Sequence, residues 1–488
     1  MRIVFAGASL LALFTVYPAT AQEMDHSGHG GTAMPMPFPA PVPAPAPAPT
    51  DHSAHGGADM GGAAPSGDGM THVRMHSSHQ SNIGRWSNTA WCCEIMGPDG
   101  EANSFDGTAF ARFREGSGTA RLPGAETAEP GLHAMAGDWM LMAHGTVSAQ
   151  YTDHSGPRGD DKFYATSMLM LMAERDAEWG RFQVRSMLSL EPAMDAEGYP
   201  NLFATGETAG WQPLVDRQHP HDLFMELAAR LDINLGGDAS LFLYGGPVGE
   251  PALGPSAFMH RGSATYNPEP PITHHWFDST HITYGVITAG VAAQHWQLEA
   301  STFRGREPDE ERWNIETPRL DSWSVRGTWT PTPNWAVQAS YGEIEEPEAL
   351  HPGENEHRTT ASVHYASGSG LSAMAAFSAK NRVPGDTLTA WLGELNWDLS
   401  DRHTLFGRVE NVANDELFPD HSDPLHDRKF RVTKLQAGYA YRMPLGPVTL
   451  ALGGSLATYF KPDALDTAYG KRPVGATVFA RLILGGED

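Results

Sequence analysis

The chain has 488 residues, with 33 Lys and Arg against 58 Asp and Glu and a formal net charge of −25. That balance excludes nucleic acid as a partner, because phosphate recognition needs a basic footprint. Beyond the N-terminus no run stays apolar for the roughly 18 residues that a spanning helix needs, which excludes a helical inner-membrane transporter.

Residues 1–21 predict an export signal. Arg2 supplies the charged start, Ile3 to Val16 an apolar stretch, and Ala19-Thr20-Ala21 a small-residue cleavage site before Gln22. No cysteine sits at the cut, so a lipid anchor has no support. Residues 22–80 then form a low-complexity His/Met/Pro-rich tail with too little apolar content to build a core, so disorder is expected. Within it, Asp25-His26-Ser27-Gly28-His29 is echoed by Asp51-His52-Ser53-Ala54-His55, and Met70, His72, Met75, His76 and His79 crowd one short stretch. Imidazoles and thioethers are borderline-to-soft ligands, so this composition points to capture of copper or a similar ion. A merely solvated tail is the alternative.

Residues 81–135 are Gly-rich without clear periodicity and read as an irregular segment, either a plug or a periplasmic extension. They contain the only two cysteines, the adjacent Cys92 and Cys93. No disulfide framework can be built from these, and their role stays open between soft-metal binding and incidental surface thiols.

From residue 136 to 488 the pattern changes to short segments of period two. In Ser322 to Trp329 one face carries Trp323, Val325 and Trp329, and the other Ser324, Arg326 and Thr328; in Trp391 to Asp398, Trp391, Leu395 and Trp397 oppose Glu394, Asn396 and Asp398. Short links such as Gly236-Gly237-Asp238 alternate with long ones such as Leu190 to His221 and Gly245 to Thr280. One short end and one long end predict an all-β, transmembrane, antiparallel outer-membrane barrel of about 16 strands, with turns and the tail in the periplasm. The tryptophans should face lipid. Glu226, Arg230, Glu299, Arg326, Glu394, Arg408, Glu410, Lys434 and Arg481 take the inward phase and suit either a wet or a salt-bridged interior.

The same phasing gathers sulfur. With Leu141, Leu169 and Leu171 facing outward, Met140, Met142, His144, Met168, Met170 and Met172 face inward, and Arg185 and Glu191 mark Met187 as inward too. Such a wall is either a soft-ion lining or ordinary methionine packing. Two long connections add imidazoles, His219 and His221 in one and His274, His275 and His281 in the other, placed at the outer mouth as a candidate metal site. Ser279 with His275 or His281 and Asp278 admits a hydrolase reading, but no Gly-x-Ser-x-Gly elbow accompanies it.

The blocks Gly137-Asp138-Trp139-Met140, Gly156 to Asp160, Asp216 to Phe224, Gly249 to Pro255 and Phe303 to Asp309 resemble a family of largely uncharacterised bacterial outer-membrane barrels associated with heavy-metal resistance. The resemblance covers roughly Leu132 to His364. The tail is similar to that of copper resistance protein B, whose barrel is smaller. These resemblances imply copper handling without assigning residues. The expected function is therefore non-enzymatic: an outer-membrane barrel that binds copper, as Cu(I) or Cu(II), and serves metal sequestration, export or resistance. Its expected partners are membrane lipid, metal ions and periplasmic metal-handling proteins. A general porin or solute channel is the alternative, and a barrel hydrolase the more distant one.

Overall fold

The computed structural model describes residues 112–126 and 130–485. Sixteen antiparallel strands close into one transmembrane barrel of the outer-membrane type. In chain order they are β1 Trp139–His154, β2 Asp161–Ala177, β3 Gly180–Leu188, β4 Phe224–Gly236, β5 Ala239–Gly249, β6 Thr283–Ala292, β7 Trp296–Phe303 and β8 Ser322–Trp329. The second half comprises β9 Trp335–Ile344, β10 Asn355–Ala366, β11 Leu371–Val383, β12 Thr387–Ser400, β13 His403–Asn414, β14 Phe430–Pro444, β15 Val448–Phe460 and β16 Val474–Leu484. The period-two alternation explains the closure: successive side chains point to opposite faces, so one register puts an apolar belt outside and a polar wall inside. Trp323, Trp329, Trp391 and Trp397 are exposed on the outer surface, whereas Ser324, Arg326, Glu394 and Asn396 from the same strands are buried.

At the seam β16 pairs with the upper part of β1, from Gly475 opposite His154 to Leu484 opposite Gly145. The lower part of β1 pairs with Leu132–Ala136, Leu132 facing Ala143 and Ala136 facing Trp139. One stave is thus shared between the two ends of the described barrel. Gly485 sits where they meet, at φ +105°, and a Cβ there would lie 2.3 Å from the Gly131 nitrogen. Residues 81–135 were expected to be irregular, yet Leu132–Ala136 is a strand and Phe113–Glu115 pairs with Arg121–Pro123. Segments of three to five residues are too short for periodicity to register. The small hairpin is a plug inside the barrel: Thr119 bonds to Glu299, Gln297 Nε2 donates to Thr119 O at 2.7 Å, and Ala125 N donates to Pro333 O at 2.9 Å.

Seven turns of two to five residues lie at one end and eight loops of three to thirty-five residues at the other. The two longest, 189–223 and 250–282, fold into the lumen, and the inward charges pin the second one. Arg261 lies 2.6 Å from Glu394, the Thr273 N–H and hydroxyl donate to Glu410 at 3.0 and 2.9 Å, Lys434 lies 3.2 Å from Glu269, and Arg408 donates to Glu269 O at 2.6 Å. Of the two interiors the charges allowed, this is the salt-bridged one. A buried charge needs a partner, and the in-folded loop supplies partners from its own side chains and carbonyls.

Candidate metal centre

Two loops build the site. In 189–223, Asp216 holds the chain in a left-handed turn at φ +63°. Its Oδ1 accepts the Phe203 N–H at 2.7 Å and its Oδ2 the Tyr469 hydroxyl at 3.1 Å. Burial pushes this carboxyl up to about 6, against the pull of those donors and Arg158. Arg217–Gln218 then pairs with Tyr199–Pro200, which sends His219 to Asp222 inward. In 250–282, the short helix His274–Phe277 and the turn Ser279–His281 are held against the inner wall, where Ser378 Oγ donates to Trp276 O at 2.6 Å and Arg358 Nη1 to Ser279 Oγ at 2.9 Å.

The two histidine groups lie together. His219, His221, His274, His275 and His281 are all at most 6% exposed. Ring centroids lie 5.4 Å apart for His221 and His281, 5.1 Å for His274 and His281, 5.3 Å for His274 and His275, and 6.3 Å for His219 with either His274 or His275. One ring nitrogen each of His219, His274 and His275 fall within 4.8 Å of one another. A tetrahedral ion with nitrogen ligands wants about 3.3 Å between them, so side-chain movements of about 1 Å would close the set.

The hydrogen bonds fix the tautomers. His219 Nδ1 faces Pro220 O at 3.0 Å, His221 Nδ1 faces Glu191 Oε2 at 2.9 Å, His274 Nδ1 faces Asp278 Oδ1 at 2.9 Å, and His281 Nδ1 faces Asp278 O at 2.6 Å. Carbonyls and carboxylates only accept, so in each case Nδ1 carries a hydrogen, and whenever the ring is neutral its lone pair is on Nε2. The Nε2 atoms of His219, His221 and His281 are buried without a hydrogen bond. His219 Nε2 is nevertheless partnered, 3.0 Å from Glu207 Oε1. Nδ1 tied to oxygen is how proteins orient imidazoles that ligate a metal through Nε2.

Electrostatics divide the set, for burial is outweighed at His221, which Glu191 raises. Burial holds His281 well below its ordinary range, with His274 and His221 pushing the same way, and burial lowers His219 despite Glu207. His275 differs: burial pulls it down, but Glu307 at 3.3 Å, helped by Glu207, raises it to about 9. Asp278 is lowered although burial opposes this, because His274 and Arg261 flank it. Glu207 and Glu307 also line a cleft of 710 Å³ at the loop end, walled by eight carboxylates and three guanidiniums. The centre therefore meets an acidic vestibule that concentrates cations.

The methionine wall is partly regrouped. Met168, Met170 and Met187 are buried together, joined by Met225 and the half-buried Met259, whereas Met140, Met142 and Met172 are half-buried nearer the short-turn end. His144 Nε2 lies 2.9 Å from Met170 Sδ. Strand parity hid Met225: a bulge between Phe224 and Glu226 breaks the alternation, so Met225 and Glu226 are buried in succession. His260, Glu191, Glu207 and Glu307 were also missed as site residues, because they are scattered along the loops and meet only in three dimensions. His26, His29, His52, His55, Met70, His72, Met75, His76, His79, Cys92 and Cys93 lie outside the described residues. In a third cluster, Glu348, His351 and Glu416, the carboxylates are already paired with Lys380 and Arg382. Ser279 Oγ bonds to Arg358, and neither His275 nor His281 bonds to it among the described contacts.

No family model matches the chain and no curated protein matches it, so the resemblance to metal-resistance barrels and to copper resistance protein B gains no support there. Among solved structures it is similar to Salmonella typhi OmpF in complex with daunomycin, at 8% identity and TM-score 0.46, over 72% of this chain and 100% of that one. It is also similar to an anion-selective porin from Comamonas acidovorans, at 12% identity and TM-score 0.43 over 71% and 100%, and to Pseudomonas putida OprB, at 10% and 0.44 over 70% and 94%. Similarity at this level decides neither ligand nor activity.

Proposed function

We propose that this outer-membrane barrel binds a borderline transition-metal ion, with copper the leading candidate, at the buried five-histidine centre. One observation carries the reading: four imidazoles whose Nδ1 hydrogens are committed to oxygen acceptors, two of them, His221 and His281, with a buried Nε2 that has no hydrogen bond. Unsatisfied buried nitrogen lone pairs are costly, and a shared ion relieves several at once. The acidic vestibule is the entry path, and the tail adds capture capacity through its paired histidines, on the periplasmic side. The role is sequestration or passage of the ion without a chemical step, and periplasmic metal carriers are the natural partners.

The test uses the full-length protein in detergent. Equilibrium dialysis against Cu(II) and Zn(II) compares wild type with His219→Ala/His274→Ala/His281→Ala. The variant should lose one tight equivalent while tail-bound metal stays constant; equal stoichiometry and affinity would overturn the reading. A solute channel is the second reading, favoured by the continuous polar inner wall of a closed sixteen-strand barrel. Steady conductance in planar bilayers together with unchanged metal binding in the triple variant would select it.

A further inference from the structure

Beside the histidine centre lies a group of different chemistry. His144, Met170 and Met187 sit on adjacent strands β1, β2 and β3 in direct cross-strand register, His144 opposite Met170 and Met170 opposite Met187. From the in-folded loop, the turn Phe258–His260 lowers His260 onto them. His144 Nε2 lies 2.9 Å from Met170 Sδ and His260 Nε2 lies 3.3 Å from Met187 Sδ, with the two imidazole rings 6.0 Å apart and edge-on. All four side chains are at most 6% exposed.

We propose that His144, Met170, Met187 and His260 form a second site, specific for a soft monovalent ion of the Cu(I) class. The donor set decides the class. Two thioethers and two imidazoles are soft-to-borderline donors, which favours Cu(I) or Ag(I) and disfavours Mg and Ca. The wall carboxylate in register with Met187, Glu226, is already engaged by Arg185 at 2.9 Å and by the Tyr244 hydroxyl at 2.7 Å. A divalent ion would thus not gain the charge of this carboxylate to offset its desolvation, whereas a monovalent one needs less compensation among soft buried donors. The thioethers only accept, so without an ion His144 Nε2 and His260 Nε2 donate to them; ligation requires each Nε2 to give up that hydrogen, after which the separations of 2.9 and 3.3 Å open to about 3.5 Å around a tetrahedral ion. The two sites are separable, because no donor is common to both.

The experiment is an anaerobic Cu(I) competition of the full-length protein against bicinchoninate, with Zn(II) binding measured in parallel. Met170→Leu/Met187→Leu keeps side-chain volume and should lose one Cu(I) equivalent with Zn(II) binding unchanged. His219→Ala/His274→Ala/His281→Ala should keep that Cu(I) equivalent, so failure of the first-site reading is distinguishable from failure of this one. Where the double methionine variant does not fold, His260→Gln tests the same loss from the loop side without touching the wall. In wild type, the methyl resonances of Met170 and Met187 should shift on addition of one equivalent of Ag(I). Full retention of Cu(I) by a folded variant, or unmoved methyl resonances, would make the group plain packing and overturn the proposal.

Discussion

Arg261 is the linchpin of the in-folded loop, and its removal gives a quantitative test of how the lumen is closed. Its side chain is fully buried, 2.6 Å from Glu394 and 3.4 Å from Asp278, and Nη1 donates to Ser256 O at 3.0 Å. Replacing it as Arg261→Met keeps most of the stem's volume but deletes the guanidinium. Breaking a buried pair from one side costs about 3–5 kcal/mol. Here Glu394 retains Arg408 at 3.0 Å and Asp278 retains His274 at 2.9 Å, so the lower end, about 3 kcal/mol, applies. At about 1.4 kcal/mol per tenfold, the equilibrium for undocking 250–282 should rise by about two orders of magnitude. Hydrogen exchange by mass spectrometry in micelles reads this directly as lost protection around Phe258 to Ala264, and bilayer recordings should show new openings. Arg261→Met/Glu394→Gln removes both charges and should recover part of the protection. Unchanged exchange and conductance in the single variant would show that the loop is held by something other than this charge pair.

Gly206 has φ +110°, and a Cβ there would lie 2.7 Å from the His275 ring, so Gly206→Ala should displace His275 and weaken Zn(II) or Cu(II) binding at least tenfold by dialysis. The carboxyl of Asp216, pushed by burial from 3.8 up to about 6, is protonated more readily in the folded than in the unfolded chain. Its contribution is present below about pH 4 and is lost as pH rises to about 6, on the order of 3 kcal/mol; in urea unfolding, Asp216→Asn should gain on wild type by that amount between pH 3.5 and 7, and parallel profiles would refute it. Val409 faces outward from the middle of β13 and is 44% exposed; Val409→Arg should cost about 2–4 kcal/mol in vesicle refolding, whereas a change at the exposed loop residue Asp427 should cost little.

The barrel was legible in the sequence because its determinant is local. A strand with one face in lipid and the other against polar groups must alternate, and the alternation of Trp323, Val325 and Trp329 with Ser324, Arg326 and Thr328 can be read without knowing any neighbour. The same local rule put Met168, Met170, Met187 and His144 on the inner side, and it failed for Met225, where a bulge inserts a residue and resets parity. It also gave no sign of the plug hairpin, whose strands of three residues carry no measurable period.

Which side chains meet was decided only by the tertiary structure. His219 and His274 are 55 positions apart and belong to different loops, yet their rings lie 6.3 Å apart because both loops fold back into the lumen. That folding depends on charges remote in sequence, Glu394, Glu410 and Lys434 on the wall clamping Arg261, Thr273 and Glu269 of the loop. The sequence marked these charges as inward, because strand parity is a property of the chain itself. Their partners, and with them the histidine cluster and the thioether group beside it, follow from the requirement that buried charges be paired in three dimensions, a condition set by the closed barrel as a whole.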